Sequence, residues 1–137
     1  MKLSCLQENL AKGLESVGRT LPKRTILPAT QNILLTTDGE ELKLTATDLE
    51  LSISVWFEAK VEKEGSTAIP GLFLNNFVNS LPPEKIELEL LSNRPLEIRG
   101  NRFSARIASR DAEDFPSIPV LDSNVTTEVA ADEFRQA

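Results

Sequence analysis

Leu51, Ile53, Val55 and Phe57 alternate with Ser52, Ser54, Trp56 and Glu58, and this constrains the fold more than any other feature of the chain. A period of two sets the four apolar side chains on one face of an extended strand, and that face needs burial. Leu42, Leu44 and Ala46 alternate in the same way over 41–46, and a strand over 32–36 precedes them. The two are joined near Asp38-Gly39, a dipeptide suited to a tight β-hairpin turn. Strand-like segments follow at 59–63 and 66–69 around Gly65, at 86–90, at 96–98, and at 103–107 with Phe103, Ala105 and Ile107. Gly100-Asn101 reads as a tight turn between the last two. Two segments change the rhythm. Leu10, Leu14 and Val17 recur at helical spacing and predict a helix over 7–18, with Glu8, Lys12 and Arg19 on its other face. Leu74, Phe77, Val78 and Leu81 predict a second helix, opened by Pro70-Gly71 and stopped by Pro82-Pro83, with Leu72, Asn76 and Asn79 opposite the apolar stripe. Lys2 to Cys5 forms a short strand ahead of the first helix, unless Ser4 and Gln7 make a capping box that starts the helix earlier. The class is α+β.

A length of 137 residues suits one domain. The texture turns linker-like after Asp114-Phe115-Pro116, before Val125 to Val129 restart a strand pattern and a helix begins near Ala137. Lys2 to Leu14, Ser66 to Phe77 and Thr126 to Ala137 each read as a strand feeding a helix, so the stretch after about residue 120 is expected to open a second unit of the same kind. On this reading the chain is a piece of a longer protein. Its one cysteine, Cys5, has no intrachain partner, which fits a reducing cytoplasm. No run is long and apolar enough for a membrane span.

The formal charge of −6 argues against indiscriminate phosphate binding, but its distribution is uneven. Residues 1–30 carry Lys2, Lys12, Arg19, Lys23 and Arg24 against Glu8 and Glu15, an excess of three positive charges, so the remainder holds nine negative. One basic face on an acidic body is the expected result. Arg19, Lys23 and Arg24 cluster at the exit of the first helix, where phosphate contact is their natural role. Arg99, Arg102 and Arg106 form a second group around the Gly100-Asn101 turn, with Arg102 and Arg106 on one strand face.

Catalysis finds little support. The chain has no histidine, so the usual base of a nucleophilic site is missing, and neither a P-loop nor a G-x-G-x-x-G turn is present. No cofactor is expected. Asp111 and Glu113 mimic the D-x-E of metal-dependent exonucleases, although solvated loop charge accounts for them better.

Three segments together resemble the bacterial β sliding clamps, the processivity subunit of DNA polymerase III. They are Arg24-Thr-Ile-Leu-Pro-Ala, Leu44-Thr-Ala-Thr-Asp-Leu-Glu50 and Ala112-Glu-Asp-Phe-Pro116, in the order and spacing of the family's first domain. The resemblance implies two β-α-β-β-β units, with two helices on an inner face and antiparallel sheets outside. It covers residues 1–120 as a first clamp domain, with 121–137 as linker and truncated start of a second. It further implies a head-to-tail homodimeric ring around duplex DNA, no catalysis, and DNA polymerase III and clamp loader as partners held through domains absent here. It places Arg24 at a DNA-contacting position; helix geometry adds Lys12, Arg19 and Lys23, and Asn76 and Asn79 from the second helix. Leu72 stands where the family is expected to carry a basic contact. For the ring interface it points to Arg94, Arg102, Phe103 and Ala105. The alternative is a protein-interaction scaffold that encloses no DNA.

Overall fold

The computed structural model describes residues 1–21, 28–92, 94–118 and 125–137. Nine strands run as β1 Lys2–Leu6, β2 Asn32–Asp38, β3 Glu41–Thr47, β4 Ser52–Glu58, β5 Lys60–Lys63, β6 Ser66–Pro70, β7 Lys85–Glu89, β8 Leu96–Arg99 and β9 Ser104–Ile107. Three helices are α1 Gln7–Gly18, α2 Gly71–Asn79 and α3 Ala131–Gln136. All strand pairs are antiparallel, in one sheet ordered β5-β1-β7-β8-β9 and another ordered β4-β3-β2-β6.

The expected alternation sets the register. Leu42 faces Phe57, Leu44 faces Val55 and Ala46 faces Ile53 across β3 and β4, so the apolar faces coincide. Leu51, however, is 54% exposed and precedes the strand, because the β3–β4 connection takes up residues 48 to 51. Ile53, Val55 and Phe57 are only half-buried, since β4 is an edge strand. The β2–β3 turn is the two residues Gly39-Glu40, and Gly39 holds φ +62° at the first position, as a type II′ turn requires.

The run 52–63 is not one strand. It breaks at the buried Ala59, whose N–H donates to Glu40 O (3.1 Å), and its second half crosses to the other sheet as β5, pairing with β1. On the opposite side the chain leaving β9 pairs with β6, where Ala68 and Arg110 exchange two backbone hydrogen bonds (3.1 and 2.8 Å). The sheets are thereby joined along both flanks.

β1 forms and α1 begins at Gln7 with no side-chain cap, so the Ser4 capping box is absent; Ser4 is committed to the sheet opposite Glu87 and Lys60. Gln7 Nε2 instead donates to Val78 O at 2.8 Å and ties the start of α1 to α2. Leu10, Leu14, Val17, Leu74 and Val78 are fully buried in one cluster with Leu3, Ile33, Leu35, Leu44, Ile86, Leu88 and Ile98. Gly13 lets α1 approach β3 and β4 closely: a Cβ there would lie 2.9 Å from Leu44 Cδ1 and 3.1 Å from Phe57 Cε1.

Three expectations need correction. The β8–β9 turn is not a two-residue Gly100-Asn101 turn but a loop over 100–103, closed by Gly100 N–H to Phe103 O at 3.0 Å. Phe103 therefore lies outside the strand, its ring edge-on to Phe77 at 6.1 Å, and Arg102 is a loop residue that shares no strand face with Arg106. Val125 to Val129 form no strand: they find no ladder partner among the described residues, and Val125 and Val129 stand 84% and 57% exposed.

Candidate nucleic-acid interface

α1 and α2 pack against each other with their apolar faces toward the sheets, which leaves one face of each uncovered. On α1 the exposed side chains are Glu8, Lys12, Glu15, Ser16 and, at the C-cap, Arg19. The helix ends there because Thr20 turns back, its backbone N–H and Oγ1 both donating to Val17 O (3.1 and 2.8 Å). Arg19 thus sits at the negative end of the helix dipole, where a cation is stabilised. On α2 the exposed residues are Leu72, Phe73, Asn76 and Asn79. Between the helices runs a groove of about 470 Å³, lined among others by Glu15, Arg19, Leu21, Leu72 and Asn75.

The structure places Lys12, Arg19, Asn76 and Asn79 on exposed positions of this helix pair. Lys23 and Arg24 lie outside the described residues. Asn79 is poorly suited to phosphate, because its Nδ2 already donates to Asn75 O and Oδ1, both at 2.9 Å, and a phosphate only accepts. Leu72 is 71% exposed beside Phe73 at 58%, an apolar pair on a face expected to be polar.

The interface candidates fall elsewhere. β9 is the outer strand of its sheet and pairs only with β8, so its other edge offers free backbone groups among the described residues. Ala105 is half-buried opposite Ile98, while Arg106 faces outward opposite Glu97. Arg94 is exposed and lines a cleft of about 770 Å³ with Arg110, Ser109 and Thr67. Phe103 packs inward on Phe77.

Arg99, grouped in sequence with Arg102 and Arg106, is engaged within the fold: it lies 3.3, 3.3 and 3.5 Å from Glu87, Glu89 and Glu97, and Lys2 reaches Glu62, Glu87 and Glu89 at 3.5 to 3.6 Å. Lys2 and Arg99 thus join four glutamates into one ion-pair network on the outer face of this sheet. Asp111 caps a short 3₁₀ turn, its Oδ1 accepting from Glu113 N–H at 3.0 Å, and among the described residues no three His, Cys, Asp or Glu side chains converge to hold a metal. Sequence reasoning missed the β3–β4 loop. Leu49 adopts φ +79° there, held by Thr47 Oγ1 and by Asp48 Oδ1, which accepts from Leu51 and Glu50 N–H (2.7 and 2.9 Å). The Thr-Asp pair in 44–50 was a readable sign, since both side chains bond neighbouring backbone in turns.

Two antiparallel sheets, joined at both flanks and backed by a pair of helices, define the class: this is the sliding-clamp fold. It superimposes on the DNA polymerase III subunit beta of Pseudomonas aeruginosa with a TM-score of 0.91, at 25% identity, over 99% of this chain and 37% of that one. A Helicobacter pylori beta clamp solved with a DNA ligase peptide gives 0.82 at 28% identity, over 89% of this chain and 34% of that one. The chain belongs to the family of the DNA polymerase III beta subunit, whose N-terminal-domain model matches residues 1–119. The beta sliding clamp of Synechococcus elongatus is 34% identical over 136 residues, 96% of this chain and 36% of the relative. The chain thus spans about a third of the length of such relatives.

Proposed function

We propose that residues 1–120 are the first domain of a non-catalytic DNA sliding clamp and that 121–137 are a linker and the truncated start of the next domain. The full-length protein would close as a head-to-tail dimer around duplex DNA in the cytoplasm and hold DNA polymerase III on its template. The observation that carries this is the uncovered α1–α2 face of a chain that matches clamp subunits along nearly its whole length. An acidic body suits the role, because enclosure supplies retention and strong phosphate binding would only slow sliding. Lys12 and Arg19, with Lys23, Arg24 and Asn76, are the proposed DNA contacts; the open edge of β9, with Arg94, Arg102 and Ala105 near it, is the proposed seam with the partner chain. The clamp loader and peptides such as the one bound in the Helicobacter protein would be received by domains beyond this one.

The test is to load the full-length protein with its loader on nicked circular DNA and follow retention before and after the circle is linearised. Loss on linearisation is the expected outcome, and equal retention on both forms would refute enclosure. Arg24→Ala that leaves loading and DNA affinity unchanged would remove Arg24 from the contact set.

A further inference from the structure

We infer that the α1–α2 face meets duplex DNA as a charge-balanced bearing, in which Glu8 and Glu15 are positioning residues that keep Lys12 and Arg19 to weak, readily exchanged phosphate contacts. This rests on the clamp reading above and goes one step further, to how the contact is tuned.

Along the exposed face of α1 the signs alternate: Glu8, Lys12, Glu15, Arg19. Glu8–Lys12 and Glu15–Arg19 are four residues apart and Lys12–Glu15 three, so each cation has a carboxylate as surface neighbour. Neither Lys12 nor Arg19 closes an ion pair among the described residues. Each is therefore free to swing to a phosphate, while the carboxylate beside it repels that phosphate. α2 adds no charge to correct the balance, since none of its residues from Gly71 to Asn79 is ionisable, and the Asn79 donors are spent on Asn75. The groove sets Glu15 and Arg19 across from Leu72 and Asn75, so a duplex lying over it meets one cation, one anion and otherwise uncharged groups. Affinity for DNA and its salt dependence come from phosphates neutralised by cations, and α1, whose two exposed cations are matched by two carboxylates, adds little to either beyond the proposed contacts of Lys23 and Arg24.

The experiment compares the full-length protein with its Glu8→Gln/Glu15→Gln variant, both loaded by the loader. Two quantities are read: retention on circular DNA before and after linearisation, and one-dimensional diffusion of single labelled molecules on stretched duplex. Both side chains are exposed and glutamine is nearly as good a helix former as glutamate, so the fold is retained. The expected result is loss of both proteins on linearisation, with the variant diffusing about three- to fivefold more slowly at low salt. The gap should close near half-molar salt, where screening is short-ranged. Equal diffusion at low salt, or a slowing that salt leaves untouched, overturns the inference while the clamp reading stands. Retention that ignores linearisation overturns the clamp reading and the inference with it.

Discussion

Gly13→Ala and Gly18→Ala replace glycines in the same helix with opposite surroundings, and their difference measures how tightly α1 is docked. A Cβ at Gly18 meets nothing within 4 Å, whereas one at Gly13 lies 2.9 Å from Leu44 Cδ1 and 3.1 and 3.3 Å from the Phe57 ring. Removing a helical glycine is worth up to about 1 kcal/mol through backbone entropy, so Gly18→Ala should stabilise by roughly 0.5–1 kcal/mol, less than a mid-helix site because it ends the helix. The same gain at Gly13 is opposed by crowding. Carbon atoms in contact prefer about 3.5–4.0 Å, so Leu44 has to retreat by more than half an ångström, and it is fully buried. Phe57, half-buried on the edge strand, can yield part of the way. Overpacking of this kind costs about 1–3 kcal/mol, which leaves Gly13→Ala between neutral and about 2 kcal/mol destabilised. With a urea m-value of about 1.5 kcal/mol/M, the two midpoints should differ by roughly 0.3–2 M in equilibrium denaturation of this chain. Gly13→Ala as stabilising as Gly18→Ala would refute the close docking of α1 on β3 and β4, and with it the fixed placement of Lys12 on the helix face.

Thr47→Val should cost about 1–3 kcal/mol in the same assay, since it removes the buried hydroxyl that accepts from Leu49 N–H and Ser52 Oγ (3.0 and 2.7 Å) and helps hold the positive φ of Leu49. The amides of Leu51 and Glu50 hold the Asp48 carboxylate below its usual range; because the folded pKa is depressed, its contribution is present above the unfolded value and lost as pH falls through the folded one. Asp48→Asn, which keeps the acceptor, should flatten that part of the acid limb in pH-dependent denaturation. Burial pushes the Cys5 thiol up to about 12, so a disulfide reagent at pH 8 should react only at the rate of opening and at full rate in denaturant. Arg19→Ala in the full-length protein should lower the salt slope of DNA affinity by clearly less than about 1, because Glu15 already offsets part of its charge, without changing sequence preference.

The first helix was legible to the residue and the second to within two at its end, Asn79 rather than Leu81, because Leu10, Leu14, Val17 and Leu74, Val78 repeat at a spacing that only a helix can bury. The strands were legible where alternation was clean. Reading failed where the decisive partner was distant in sequence. Ser4 scores as a cap locally, yet its backbone is claimed by β5 and β7. Phe103 alternates with Ala105 and Ile107, yet it falls in the 100–103 loop, where its ring meets Phe77. Val125 to Val129 have strand composition, but composition supplies no neighbour to pair with. Of the candidate contacts, the exposure of Lys12 and Arg19 followed from helical geometry. The engagement of Arg99 by three glutamates did not, since cross-strand register brings them together.

The crossing of β4 into β5 at Ala59 and the Ala68–Arg110 pairing make the two sheets a single cooperative unit. One flank is held by the chain itself and the other by the Ala68–Arg110 hydrogen bonds, so native-state hydrogen exchange should show β3, β7 and β8 opening together at the global rate. In a larger assembly, such a unit would transmit strain as a stiff link, and flexing would concentrate at its boundaries.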